Sequence, residues 1–163
     1  MPTAQGSGRF DLPEQPVWYL GESPVHAVAE VLQSFRGRPF QDGMLRRFDH
    51  PLALVEVQLP EEDAARIIDL DDPAELLRLG LSPGALASDD RVRTQAIAER
   101  VYLTGAAGLR WWSKLSGDWH AVVLFLDRVP VERLEIDRPE ILVRGHPAVV
   151  SACRYLAMRT ELD

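Results

Sequence analysis

The stretch VWYLGESPVHAVAEVLQSF, residues 17–35, decides how the chain begins to fold. Val17-Trp18-Tyr19-Leu20 is β-branched and aromatic and lies between Pro16 and Gly21, which reads as a short strand. Ser23-Pro24 then opens a helix. Ser23 offers a side-chain oxygen to the free N–H groups of the first turn, and Pro24 has no N–H to leave unsatisfied. Val25, Val28, Ala29, Leu32 and Phe35 recur at i, i+3, i+4, i+7, so the spacing predicts a helix to about Phe35 with that stripe buried. Ala27 and Val31 widen the apolar surface. His26, Glu30, Gln33 and Ser34 are its polar exceptions.

Working outward, residues 1–8 read as a short flexible lead, and residues 36–51 as a loop rich in arginine (Arg36, Arg38, Arg46, Arg47). LALVEVQL, residues 52–59, reads as a strand that alternates toward its end. A turn, the short ARIIDL segment and a helix near Pro73–Leu79 follow, with Asp72 as cap and Gly80 as stop. Ser82-Pro83-Gly84 reads as a turn and residues 90–103 as another helix. WHAVVLFL, residues 119–126, is the strongest strand signal. Residues 131–136 and 141–143 read as shorter strands, and residues 146–159 as a closing helix with Val149, Ala152, Cys153 and Leu156 on one face. The elements are mixed in order, with no composition shift or long linker, which predicts one α+β domain over residues 1–163.

Composition narrows the function classes. Of 163 residues, 46% are apolar and 26% charged, which suits a soluble globular chain rather than a disordered one. The net charge of −7 argues against a chain that grips nucleic acid directly. The basic set is 17 Arg and one Lys, Lys114, so an anion here would meet Arg forks, backbone N–H groups or hydroxyls. A single cysteine, Cys153, excludes an intrachain disulfide, reads as a packing residue and suits a reducing cytoplasm. The four histidines lack metal-ligand spacing, so no metal is expected, and His120 reads as structural. No apolar run reaches the roughly 20 residues of a membrane span. The first residues carry no basic or apolar leader, so no signal peptide is expected.

Four polar residues stand out in order: Arg9 after Ser7-Gly8, Tyr19 at the strand end, Glu30 in an apolar helix, and Ser113 after Trp111-Trp112. Taken one at a time they read as a solvated arginine, a rim aromatic, a surface carboxylate and an ordinary serine. Taken together, Gly-Arg-Phe-Asp, Trp-Tyr-Leu-Gly-Glu-Ser-Pro and Ala-Val-Ala-Glu-Val-Leu resemble the opening of the RES domain family, named for an Arg, a Glu and a Ser. Gly108-Leu109-Arg110-Trp111-Trp112-Ser113, followed by the WHAVVLF strand, is similar to its serine-bearing segment. The resemblance covers roughly residues 6–137.

That resemblance implies a single RES-like domain with a fold related to the mono-ADP-ribosyltransferases. It implies a bacterial, cytoplasmic toxin that destroys NAD+, held inactive by an Xre-like helix-turn-helix antitoxin through which any DNA contact would run. A homodimer is also a family expectation. Carried over, Glu30 and Ser113 would be catalytic, while Arg9 and Tyr19 would bind NAD+. Breaking the N-glycosidic bond leaves an oxocarbenium-like ribose, which a carboxylate on the ribose hydroxyls stabilises; that suits Glu30. Arg9 would fork onto the pyrophosphate or a hydroxyl. Tyr19 would pack on nicotinamide or ribose, and Ser113 would orient Glu30 or a hydroxyl. The acceptor stays open among water, phosphate and a protein side chain. RES proteins usually carry a further strand before the Gly-Arg turn, whereas eight residues precede Arg9 here. The expectation is that this strand is absent, with Arg36, Arg38, Arg46 or Arg47 as replacement cations. The competing reading is a RES-like binding module without catalysis, recruiting protein or nucleotide.

Overall fold

In the computed structural model, residue 6 and residues 8–159 are described. In chain order the elements begin with β1 (Val17–Gly21), α1 (Pro24–Leu32), β2 (Arg46–Arg47), β3 (His50–Pro51), β4 (Ala53–Leu54) and β5 (Val57–Gln58). Next come α2 (Glu61–Ala64), β6 (Ile67–Asp69), α3 (Pro73–Arg78), α4 (Pro83–Leu86), α5 (Arg91–Leu103), β7 (Gly108–Trp112) and β8 (His120–Phe125). Last are β9 (Glu135–Ile136), β10 (Glu140–Ile141) and α6 (Pro147–Tyr155). Helices and mixed strands make an α+β fold, as the element order predicts. They fall into two compact units. One holds the described residues up to Leu20 together with Gln58–Glu135; the other holds Gly21–Val57 and the described residues from Ile136 onward.

The first unit is built on a four-stranded sheet in the order β1-β8-β7-β6. β7 runs antiparallel to β8 and parallel to β6. WHAVVLFL earns its central place through Ala121, Val123, Leu124 and Phe125, all buried. Gly108 is obligatory: a Cβ there would lie 2.2 Å from the Val123 carbonyl oxygen, so only glycine lets β7 approach β8 so closely. α5 covers the sheet with Thr94, Ile97, Ala98 and Val101, the i, i+3, i+4, i+7 set. Phe10, Leu12, Leu70, Leu109, Trp111 and Phe125 complete one core. Each such side chain contributes about 1.5–3 kcal/mol by leaving water.

In the second unit α1 packs on α6. Val28, Ala29 and Leu32 bury against a helix whose inner face is Ala148, Val149, Ala152 and Cys153; these small residues let the backbones come close. Cys153 is fully buried, in keeping with a packing role. Ser23 caps α1 by accepting the His26 N–H at 3.2 Å.

Several expectations are corrected. α1 ends at Leu32, and Gln33–Phe35 tightens into a 3-10 turn. Val28, Ala29 and Leu32 are buried as the stripe predicts, with Val25 and Phe35 half-buried; Val31 is exposed, and His26, expected as a polar exception, is inside. Residues 52–59 are not one strand but two short ones, β4 pairing with β10 and β5 with β9. Ser82-Pro83-Gly84 is not a turn; Ser82 caps the short helix α4. Residues 131–133 form a 3-10 turn ahead of β9. The 36–51 segment is not all loop: Asp42–Leu45 is a 3-10 turn, and β2 and β3 form a hairpin. The lead expected over residues 1–8, with the family strand expected to be missing before Arg9, lies outside the described residues except for Gly6 and Gly8. Among the described residues no helix is long and apolar enough to cross a membrane.

Candidate functional site

The Gly-Arg turn is tied to the end of β1 through one buried carboxylate. Asp11 Oδ2 accepts the N–H of Gly6 at 2.8 Å and that of Gly8 at 2.7 Å. Asp11 Oδ1 accepts the Tyr19 hydroxyl at 2.8 Å, and the Phe10 N–H donates to the Tyr19 oxygen at 2.9 Å. Gly8 is required by this closure, because a Cβ would fall 2.2 Å from Asp11 Oδ1 and 2.4 Å from Tyr19 Oη. Burial pushes the Tyr19 phenol well above its ordinary value; the Phe10 N–H pulls the other way, and Asp11 adds to the rise. The hydroxyl is therefore committed as a donor to Asp11. The ring packs edge-on against Trp111 at 6.2 Å and keeps part of its surface exposed.

Arg9 leaves this turn half-buried. Its guanidinium donates to the Leu86 carbonyl at the end of α4 and lies 5.7 Å from the Phe10 ring centre. Asp89 is held below the usual carboxylate range by Lys114 first, with a smaller contribution from the field of Arg9. Phe10 packs at a tilt of 59° against Trp111, centroids 4.5 Å apart, so Arg9, Tyr19 and the Trp111 segment share one aromatic base. Ser113 follows Trp111-Trp112 and is buried. Its N–H donates to the Trp119 carbonyl at 2.6 Å, and its Oγ accepts the Leu115 N–H at 3.0 Å, which shapes the β7–β8 connection.

Glu30 belongs to the second unit and is oriented within α1. Its Oε1 lies 3.1 Å from His26 Nε2, and its Oε2 accepts Gln33 Nε2–H at 2.7 Å. Gln33 also donates to the Glu30 carbonyl at 2.9 Å. The His26 side chain is 1% exposed and that of Glu30 37%. A wholly enclosed imidazole thus aims a carboxylate whose other side meets solvent. This is more than the solvated glutamate that the helix pattern alone suggests.

The structure therefore brings Arg9 and Tyr19 into one hydrogen-bonded turn, with Ser113 on the strand segment whose Trp111 supports them. Glu30 sits in the other unit with its own supports. Arg36, Arg38, Arg46 and Arg47 are exposed, also in the second unit. The sequence reading missed Asp11, His26 and Gln33 as supporting groups. The signals were present: Asp11 stands three residues after Gly8, and His26 and Gln33 stand four before and three after Glu30, on one helical face. Among the described residues no His, Cys, Asp and Glu cluster could hold a metal ion.

A family model described as the RES domain matches residues 1–144, a span that includes Arg9, Tyr19, Glu30 and Ser113. Among solved structures, a chain of the M. tuberculosis MbcT–MbcA toxin–antitoxin complex is similar, with a TM-score of 0.60 and 17% identity over 93% of this chain and 77% of that one. Such a low identity speaks to the fold alone. No curated protein sequence matches the chain. With a family match over most of its length, and the Arg, Glu and Ser in family order within it, this chain belongs to the RES domain family.

Proposed function

We propose that this protein is a RES-type toxin that cleaves NAD+ at the nicotinamide–ribose bond and is neutralised by an Xre-like helix-turn-helix antitoxin. The observation that carries the reading is the support of Glu30 by His26 and Gln33. Two donors fix the plane of the carboxylate without covering it. A carboxylate fixed in advance stabilises charge that appears only in the transition state. The C1′–N bond breaks with its electron pair leaving on neutral nicotinamide. Glu30 stabilises the ribosyl cation through the ribose hydroxyls. An acceptor oxygen then bonds to C1′ and loses its proton, giving hydrolysis with water, phosphorolysis with phosphate, or transfer to a protein side chain.

In this reading Arg9 takes an anionic part of the dinucleotide, and Tyr19 offers its ring, since its hydroxyl is committed to Asp11. Ser113 orients a ribose hydroxyl. An antitoxin partner is supported by family membership and by the toxin–antitoxin complex that shares the fold. The substrate implies a cytoplasmic site of action. Incubating purified protein with NAD+, with and without phosphate, and identifying the products tests this. Release of nicotinamide is expected, and Glu30→Gln is expected to lower the rate by about 10²–10³-fold. Wild-type protein, free of any partner, that leaves NAD+ intact would overturn the assignment in favour of a non-catalytic binding module.

A further inference from the structure

We propose that Lys114 is a further substrate-binding residue, taking the diphosphate of the dinucleotide beside Arg9, and that Asp89 is a built-in competitor for that ammonium. The inference rests on the NAD+-cleaving reading and deepens it. Every residue it uses lies in the first unit.

Three segments far apart in sequence meet around the Gly-Arg turn. Arg9 donates to the Leu86 carbonyl at the end of α4. Gln95, on α5, donates to the Gly8 carbonyl at 2.9 Å. Both flanks of the α4–α5 connection are therefore tied to the turn. Within that connection Asp89 accepts a hydrogen bond from Lys114 Nζ, one residue beyond Ser113. The connection thus bridges the turn that carries Arg9 and the strand end that carries Ser113. Asp89 lies close enough to Lys114, and less so to Arg9, for their charges to hold its carboxyl below the usual range. Arg91, two residues on, is near enough to Tyr19 for its charge to act on the phenol, against the larger effect of burial. Arg9, Arg91 and Lys114 so bring cations to one place from three segments.

Exposure shows which partner of the ion pair can give way. The Asp89 side chain is 96% exposed and that of Lys114 40%. The carboxylate approaches the ammonium from the open side, as an anionic ligand would. Neighbouring acids have other duties: Asp11 closes the Gly-Arg turn, and Asp90 caps α5 by accepting the Val92 N–H at 3.0 Å. A solvated ion pair such as Lys114–Asp89 adds little to stability, so Asp89 returns to water at small cost. A diphosphate brings two charges where Asp89 brings one. Lys114 then donates to a phosphate oxygen as a compact point charge, while Arg9 supplies the planar fork. The signs follow from charge alone. Lys114 strengthens binding of the diphosphate, and Asp89 weakens it by occupying the same ammonium.

Calorimetric binding of ADP-ribose to the full chain tests this, since ADP-ribose keeps the diphosphate and has no nicotinamide to lose. Asp89→Asn is expected to tighten binding about two- to five-fold. Lys114→Met, still folded by circular dichroism, is expected to weaken it about five- to twenty-fold, and Lys114→Arg by less than about three-fold. Because Lys114 is the single lysine, its acetylation, located by mass spectrometry, reads occupancy directly. ADP-ribose is expected to slow that acetylation, and adenosine, which has no phosphate, to leave it unchanged. Asp89→Asn no tighter than wild type, Lys114→Met no weaker, or acetylation indifferent to ADP-ribose would overturn the proposal and leave NAD+ cleavage standing. Wild-type protein that binds no ADP-ribose would also overturn it, and if it leaves NAD+ intact as well, the reading beneath it fails too.

Discussion

Gly8→Ala adds one methyl group at a backbone position that any residue can adopt, so its effect isolates the Asp11 closure. The new Cβ would lie 2.2 Å from Asp11 Oδ1, 2.4 Å from Tyr19 Oη and 2.8 Å from Asp11 Cγ. Ordinary contact needs about 3.5 Å or more, so the carboxylate and phenol must give way by about 1 Å. That shift breaks the 2.8 Å Tyr19–Asp11 bond and loosens the two N–H bonds to Oδ2. A hydrogen bond to a charged group is worth about 1.5–3 kcal/mol, so the expected loss is about 2–4 kcal/mol. At this chain length that lowers Tm by roughly 4–16 °C. Gly117→Ala, where nothing lies within 4 Å of the new Cβ, is the control and is expected to change stability by less than about 1 kcal/mol. Thermal melting followed by circular dichroism measures both. If Gly8→Ala melts within about 1 °C of Gly117→Ala, the carboxylate closure is not what holds the Gly-Arg turn.

Tyr19→Phe leaves Asp11 Oδ1 without its hydroxyl donor and the Phe10 N–H without its acceptor, at a cost of about 1–3 kcal/mol near neutral pH. Because folding raises the phenol pKa, the neutral form is favoured in the native state; its contribution is full below the ordinary value of 10 and is lost as pH rises from there toward the folded value. Melting curves between pH 8 and about 11.5 should fall less steeply for Tyr19→Phe than for wild type, and equal slopes would refute the assignment. On the NAD+-cleaving reading, His26→Ala should lower kcat by about 10–100-fold with KM changed less than about three-fold, and His26→Gln should recover part of it. A lower Tm with kcat untouched would leave His26 a packing residue only.

Local chemistry made much of this protein legible in its sequence. Pro16 and Gly21 bound β1, Ser23-Pro24 starts α1, and WHAVVLFL can satisfy its pattern only as a central strand. The ordered Gly-Arg, Tyr-Leu, Ala-x-x-Glu and Trp-Trp-Ser segments pointed to the RES family before any packing was known. Tertiary structure decided what those signals left open. Val28, Ala29 and Leu32 are buried as periodicity predicts, but the enclosure of His26 and the exposure of Val31 were decided by packing that spacing along one helix does not encode. Residues 52–59 broke into two strands because β10 and β9 each claim a different part of them. Asp11 carries no role in the sequence reading; it is enclosed because Gly8 leaves space and Tyr19 brings a donor across eight residues. Spacing along a chain encodes which side chains share a strand or a helical turn. Which element covers them, and which carboxylate is thereby fixed, is set by contacts distant in sequence.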